Sequence, residues 1–201
     1  MVAGLDRLDG GTLEVHSPAQ KNFRSFVFQE AHLLPWRTVL RNVALPLELM
    51  GTPRRLADQQ ARDALERVGL SDATDRFPSQ LSGGMKMRAS VARALVTRPT
   101  LLLLDEPFSA LDELNRHALQ DELRRIWETS APTILFVTHS VAEAVFLSNR
   151  VIVFSKRPAR LLLDTPVQLP TKRDASLRTS PEFSQELKSI YTRVSYEEAP
   201  L

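Results

Sequence analysis

The sequence predicts an α/β protein built on a mainly parallel sheet, and three observations carry that reading. The first is the run of four leucines at 101–104. It is too short to span a membrane and too apolar for a half-exposed strand, so it fits a central parallel strand covered on both faces. Asp105 and Glu106 follow at its carboxyl end, the edge at which open α/β sheets bind ligands. The second is Ser82-Gly83-Gly84, a cap and glycine pair opening a helix that stops before Pro99. The third is another apolar strand, 133–137, leading through His139 into a helix that starts at Ser140.

Taken in order, residues 1–8 read as the tail of a helix, Gly10-Gly11 as a turn and 12–15 as a strand. Residues 23–28 form a second strand, ending at Gln29. The apolar group Leu33, Leu34, Pro35 and Trp36 comes next, and from 38 to 70 the pattern is helical, with Pro46 as a kink or break. Ala57, Ala61, Ala64, Leu65 and Val68 share one helical face, and Gly69 supplies the C-terminal cap over which Leu70 folds back. Beyond the acids, Asp112 is an N-cap, and the helix over about 113–128 carries Leu119, Leu123 and Ile126 toward the sheet. Ser140 and Glu143 fit a capping box. Residues 151–154 and 160–163 read as a hairpin at the sheet's edge, 165–179 as a polar linker. A final helix from Ser180-Pro181 carries Phe183, Leu187, Ile190, Tyr191 and Val194 on one face.

Composition bounds the function. The 201 residues are 43% hydrophobic, enough for a substantial core. With no cysteine there is no disulfide framework. The opening residues lack a signal-peptide pattern, and no apolar run reaches membrane length, so the chain is expected to be neither exported nor membrane-spanning. Its net charge of +2, from 26 basic and 24 acidic residues scattered along the chain, gives no nucleic-acid stripe. Two carboxylates at a strand end point to metal and proton chemistry. The glycine pair at a helix N-terminus is an anion site in outline.

In combination these residues resemble the ATP-binding cassette (ABC) ATPases. Leu81-Ser82-Gly83-Gly84 matches the family's signature loop, and residues 101–107 match its Walker B strand. The FVFQEAHLLPW stretch resembles the Q-loop, 109–112 the D-loop and His139 the H-loop. Met85 departs from the family's usual Gln. The resemblance implies a P-loop NTPase-like fold with a helical subdomain over about 38–97 and a C-terminal extension over about 165–201. It implies ATP and Mg²⁺ as ligands, with Asp105 and Gln29 on the metal and Glu106 polarising the attacking water. His139 would contact the γ-phosphate. Ser82, Gly83, Gly84 and Asp112 would meet nucleotide held by a second ABC ATPase subunit, homo- or heterodimeric.

The resemblance further implies a transmembrane permease docked near Leu33, Leu34, Pro35 and Trp36, which places the protein on the inner face of the cell membrane. The LLPWRTV and SPEFSQELKSIY wording is similar to importers of nitrate, sulfonate and taurine. No GxxxxGK[ST] loop occurs in the sequence. The expectation is therefore an incomplete nucleotide-binding domain, truncated at its N-terminus and inactive alone. The alternatives are a non-hydrolysing subunit that lends its signature loop to a partner's P-loop, or an ABC ATPase of DNA repair or translation. The presence of Asp105, Glu106 and His139 favours truncation over the lending subunit. The missing coiled-coil insertion and second cassette favour transport.

Overall fold

The computed structural model describes residues 1–15, 24–109 and 111–197. The parts of the expected strand at Phe23, of the 109–112 loop at Ala110 and of the C-terminal extension at 198–201 lie outside these. Three parallel strands, β1 (Arg24–Val27), β2 (Leu101–Asp105) and β3 (Thr133–Val137), pair in the order β1-β2-β3. Val27 lies opposite Leu104, and Asp105 opposite Val137, so all three carboxyl ends reach the same edge. Parallel pairing requires long crossovers, and here they are helical.

The first crossover holds three helices, α1 (Val39–Leu49), α2 (Arg54–Arg67) and α3 (Gly83–Leu95). Thr38 caps α1 by accepting from Arg41 N–H at 3.3 Å. Pro46 does not break this helix. Val39, Val43 and Leu47, each one turn apart, are all buried, and that packing outweighs one missing backbone donor. The chain turns instead at Gly51, whose φ of +79° suits glycine, with Thr52 N–H donating to Leu47 C=O at 3.0 Å. The same closure ends α2, where Gly69 has φ +66° and Leu70 N–H donates to Leu65 C=O at 2.9 Å.

Helix α3 belongs to two cores. Ala89, Ala92 and Val96 pack among α1 and α2, while Met87, Val91 and Ala94 pack on the sheet with Leu102, Leu104 and Val27. Helix α4 (Glu113–Ser130) returns over the same sheet face through Leu119 and Leu123. The opposite face is less covered than the all-leucine strand predicts: Leu135 and Val137 on β3 are 46% and 49% exposed. Strand β2 is buried because it is central, with a neighbour on each side.

The C-terminal third forms its own core. Helix α5 (Val141–Leu147) and helix α6 (Pro181–Glu197) pack with β4 (Arg150–Phe154) and β5 (Leu161–Pro166) through Val145, Phe146, Leu163, Phe183 and Ile190. The antiparallel hairpin β4–β5 is a separate two-stranded sheet, not an edge of the parallel one. Its apolar side is spent on α5 and α6. Tyr191 is exposed, so the α6 stripe is narrower than the five residues read from the sequence. The segment after β5 is polar but pinned: buried Arg173 donates to the carbonyls of Val145, Phe146 and Ser148 at 2.8–3.0 Å. These are orphan carbonyls at the end of α5. Burial pulls the Arg173 guanidinium down to about 10. Residues 1–15 are turns, bends and irregular chain rather than helix and strand, with the turn at Gly4 (φ +75°) closed by its N–H on Met1 C=O.

The two sheet faces are expected to respond differently to truncation. Leu102→Ala, in the fully buried layer, should cost about 3 kcal/mol in urea unfolding, whereas Leu135→Ala should cost under about 1 kcal/mol. Equal losses would show that the second face is also close-packed.

Candidate functional site

The candidate site is built on the carboxyl edge of the parallel sheet. The last strand residue, Asp105, has an exposed side chain. Glu106 extends the ladder by one bond, its N–H donating to Val137 C=O at 3.0 Å, and then adopts φ +45°. A left-handed glutamate is strained by about 1–3 kcal/mol. Pro107 follows and disfavours the right-handed alternative. Ser109 closes the turn, its N–H and hydroxyl both donating to Glu106 C=O, at 3.2 and 2.9 Å.

Three of the residues singled out from the sequence are drawn together here. His139, just past the end of β3, places Nε2 2.5 Å from Glu106 Oε1, within hydrogen-bonding distance of the carboxylate. The Glu106 carboxyl is mostly covered and the imidazole is largely in solvent. Gln29, two residues past β1, donates from Nε2 to Ser109 Oγ at 3.2 Å. Gln29, Ser109, Glu106 and His139 thus form one continuous polar line across the ends of three strands. Among the described residues no group of three or more His, Cys, Asp or Glu is gathered as a metal site. Mg²⁺ needs less: it typically takes one or two protein carboxylates and completes its shell with phosphate and water oxygens. The exposed Asp105 carboxylate and the amide oxygen of Gln29 are hard donors that fit such a role.

Helix α5 fixes the backbone beside His139. Ser140 Oγ accepts from Glu143 N–H at 3.3 Å, as a capping box requires. The return bond differs: Ser140 N–H donates to Thr138 Oγ at 3.0 Å, and the Thr138 hydroxyl donates to the Glu143 carboxylate. Glu143 is drawn away from the box because Arg116 on α4 lies 3.7 Å from it.

The second focus is the paired N-termini of α3 and α4. Ser82 Oγ accepts from Met85 N–H at 3.3 Å, the N-cap expected from the sequence. A Cβ on Gly84 would stand 3.3–3.4 Å from the Asn115 side chain, so glycine is what lets α4 approach α3 here. Asp112 caps α4 by accepting from Asn115 N–H at 3.0 Å and from Asn115 Nδ2 at 2.6 Å. Those two bonds hold its carboxyl below the usual carboxylate range. Arg88 Nη2 on α3 donates to Asn115 Oδ1 at 3.4 Å. Asn115 therefore joins the Ser82–Gly84 turn to Asp112. Sequence reading missed it, because a polar residue in a helix's first turn looks like ordinary solvated surface.

The segment after Gln29 returns to α1 through a turn in which Arg37 N–H donates to Leu34 C=O at 3.1 Å. Leu33 and Leu34 are half-buried, while Pro35 and Trp36 at the turn are exposed. Asn42 on α1, wholly buried, holds this turn: it accepts from Leu34 N–H at 2.7 Å and donates to the carbonyls of Leu34, Arg37 and Thr38 at 3.0–3.1 Å. Nothing in the local pattern around Asn42 marked it for that task.

The ABC transporter family matches residues 2–109 of the chain. The taurine import ATP-binding protein of Rhizobium johnstonii is 44% identical over 167 residues, covering 81% of this chain and 64% of that protein. The nitrate import ATP-binding protein of Synechococcus elongatus is 38% identical over 200 residues, covering 95% of this chain and 71% of its own length. A solved dimeric ATP-binding cassette, in a post-hydrolysis state with ADP and Pi, superposes with a TM-score of 0.58 at 32% identity. That match covers 65% of this chain and 58% of the other.

The Asp112 cap gives this site a pH dependence. Because folding lowers the carboxyl's pKa, its stabilisation is present above the unfolded value near about 4 and is lost as pH falls through the lower folded value. The melting-temperature advantage of the wild-type chain over Asp112→Asn should hold at pH 6 and shrink as pH drops below about 4. A gap that stayed constant down to pH 2 would contradict the ionised cap.

Proposed function

The chain belongs to the ABC transporter family, and from that premise we propose that it is the ATP-binding and ATP-hydrolysing part of an importer for a small solute of the nitrate, sulfonate or taurine kind. The observation that carries the hydrolytic reading is the contact between Glu106 and His139 at the carboxyl edge of the sheet, in line with Gln29 and Ser109. The names of the similar import proteins support the transport reading.

In this proposal Glu106 is the general base. Its carboxylate takes the proton of the attacking water, and the left-handed turn holds it at the strand end. His139 steadies that carboxylate and presents its other ring nitrogen outward. Asp105 and Gln29 would hold Mg²⁺, which when bound neutralises charge on the phosphates. Ser82, Gly83 and Gly84 offer a capped helix N-terminus to nucleotide held by a second subunit, and Asn115 fixes the distance from that turn to Asp112. The exposed Trp36 turn receives the permease, an amphipathic anchor of the kind that protein interfaces favour. These 201 residues contain no GxxxxGK[ST] loop, so turnover in an assay requires that loop on the same polypeptide or on a partner.

The test is ATP turnover of the assembled complex with that loop supplied. Glu106→Gln should leave ATP binding intact and reduce hydrolysis by at least about 100-fold. Ser82→Arg should leave ATP binding by one subunit intact but abolish ATP-dependent dimerisation seen by light scattering. Wild-type turnover in Glu106→Gln would remove the general base, and undiminished dimerisation in Ser82→Arg would remove the signature turn from the interface.

A further inference from the structure

The chain between Gln29 and Thr38 belongs to no helix or strand, yet its backbone is held almost throughout. Arg93, on the half of α3 remote from Ser82, donates from Nη1 to His32 C=O and from Nη2 to Ala31 C=O, both at 2.7 Å. Successive carbonyls of an extended chain point to opposite sides. The left-handed φ of +42° at His32 brings these two to the same side, where one planar guanidinium serves both. The His32 ring in turn stacks edge-on against Phe28 at 5.4 Å. Arg93 is half-buried, and burial lowers its pKa, so its cation sits against carbonyl dipoles instead of bulk water.

Downstream, Asn42 fixes Leu34, Arg37 and Thr38. Leu33, the single residue between the two clamps, packs against the core of α1, α2 and α3. Arg37 is held a second time, by Glu48 at 2.7 Å. From Ala31 to Thr38 every residue except Pro35 and Trp36 is tied in this way, and Trp36 stands at the exposed tip of the turn that the Arg37–Leu34 bond closes.

We propose that Arg93 is a positioning residue that ties helix α3 to the Trp36 turn, so that a displacement of α3 is carried through Ala31, His32 and Leu33 to the exposed tryptophan. One helix then has the Ser82 turn at its start and the brace near its end, and the two surfaces move together. Reading the Trp36 turn as a permease-docking surface rests on the function proposed above. The tie itself does not, since it is a property of the isolated chain.

The experiment uses the full chain with Trp127→Phe, which leaves Trp36 as the only tryptophan. Amide hydrogen exchange and Trp36 fluorescence anisotropy are measured without nucleotide or permease. Arg93→Met should accelerate exchange across residues 31–37 by at least about tenfold and lower the Trp36 anisotropy, with β2 amides still protected. Arg93→Lys should give an intermediate result, because an ammonium lacks the planar fork that spans two carbonyls. Unchanged anisotropy in folded Arg93→Met, or faster exchange confined to residues 31–32, would overturn the proposal. Should Arg93→Met lose β2 protection, Arg93→Lys decides alone: lowered anisotropy supports the tie, unchanged anisotropy removes it. These readouts are independent of the Glu106→Gln assay, so either can fail while the other stands.

Discussion

Everything at the candidate site depends on the burial of β2 between two parallel neighbours. Its four leucines have no exposed alternative, and their register with β1 and β3 sets which residues leave the sheet at the same edge. Because side chains alternate along a strand, a slip of one residue would turn Leu102 and Leu104 out of the core and carry Glu106 away from His139. The hydrophobic layer is therefore what holds a strained glutamate beside an exposed histidine. Neither contact is strong enough alone to choose that arrangement.

Two polar centres hang from this strand, and the loop after it joins them. Glu106 and Ser109 face Gln29 and His139, and three residues later Asp112 meets Asn115 and, through it, the first turn of α3. Helix α3 in turn is shared by the sheet core and the core of α1 and α2. The same sharing recurs in the C-terminal third, where Arg173 and Arg124 cap carbonyls at the end of the helix that begins beside His139. Long arginines from distant segments complete helix ends and loops that their own neighbours leave open.

What the sequence made legible was local. The Ser82 and Asp112 caps, the Gly69–Leu70 closure and the strand of leucines each rest on residues within a few positions of one another, and the structure has them all. The placement of Gln29, Asp105, Glu106 and His139 at strand ends was legible for the same reason. What was hidden depended on partners far along the chain. Asn42 looks like any polar residue in a helix, and Arg93 like a solvated one, until the turn after β1 is in place. Pro46 overstated its power to stop a helix whose buried face continues past it. The hairpin was read as part of the main sheet because strand patterns carry no address, whereas α5 and α6 offered its apolar side a nearer core.

The measurement that tests the account most directly is scalar coupling across hydrogen bonds in the isotopically labelled chain. The register described here requires a coupling between the amide nitrogen of Glu106 and the carbonyl carbon of Val137, the bond that carries β2 one residue beyond its last paired position. That cross-peak, with a slowly exchanging Glu106 amide, is the expected result. A coupling from Glu106 to Phe136 or Thr138 instead would mean a shifted register, and the assembly of the carboxyl-edge site would have to be abandoned.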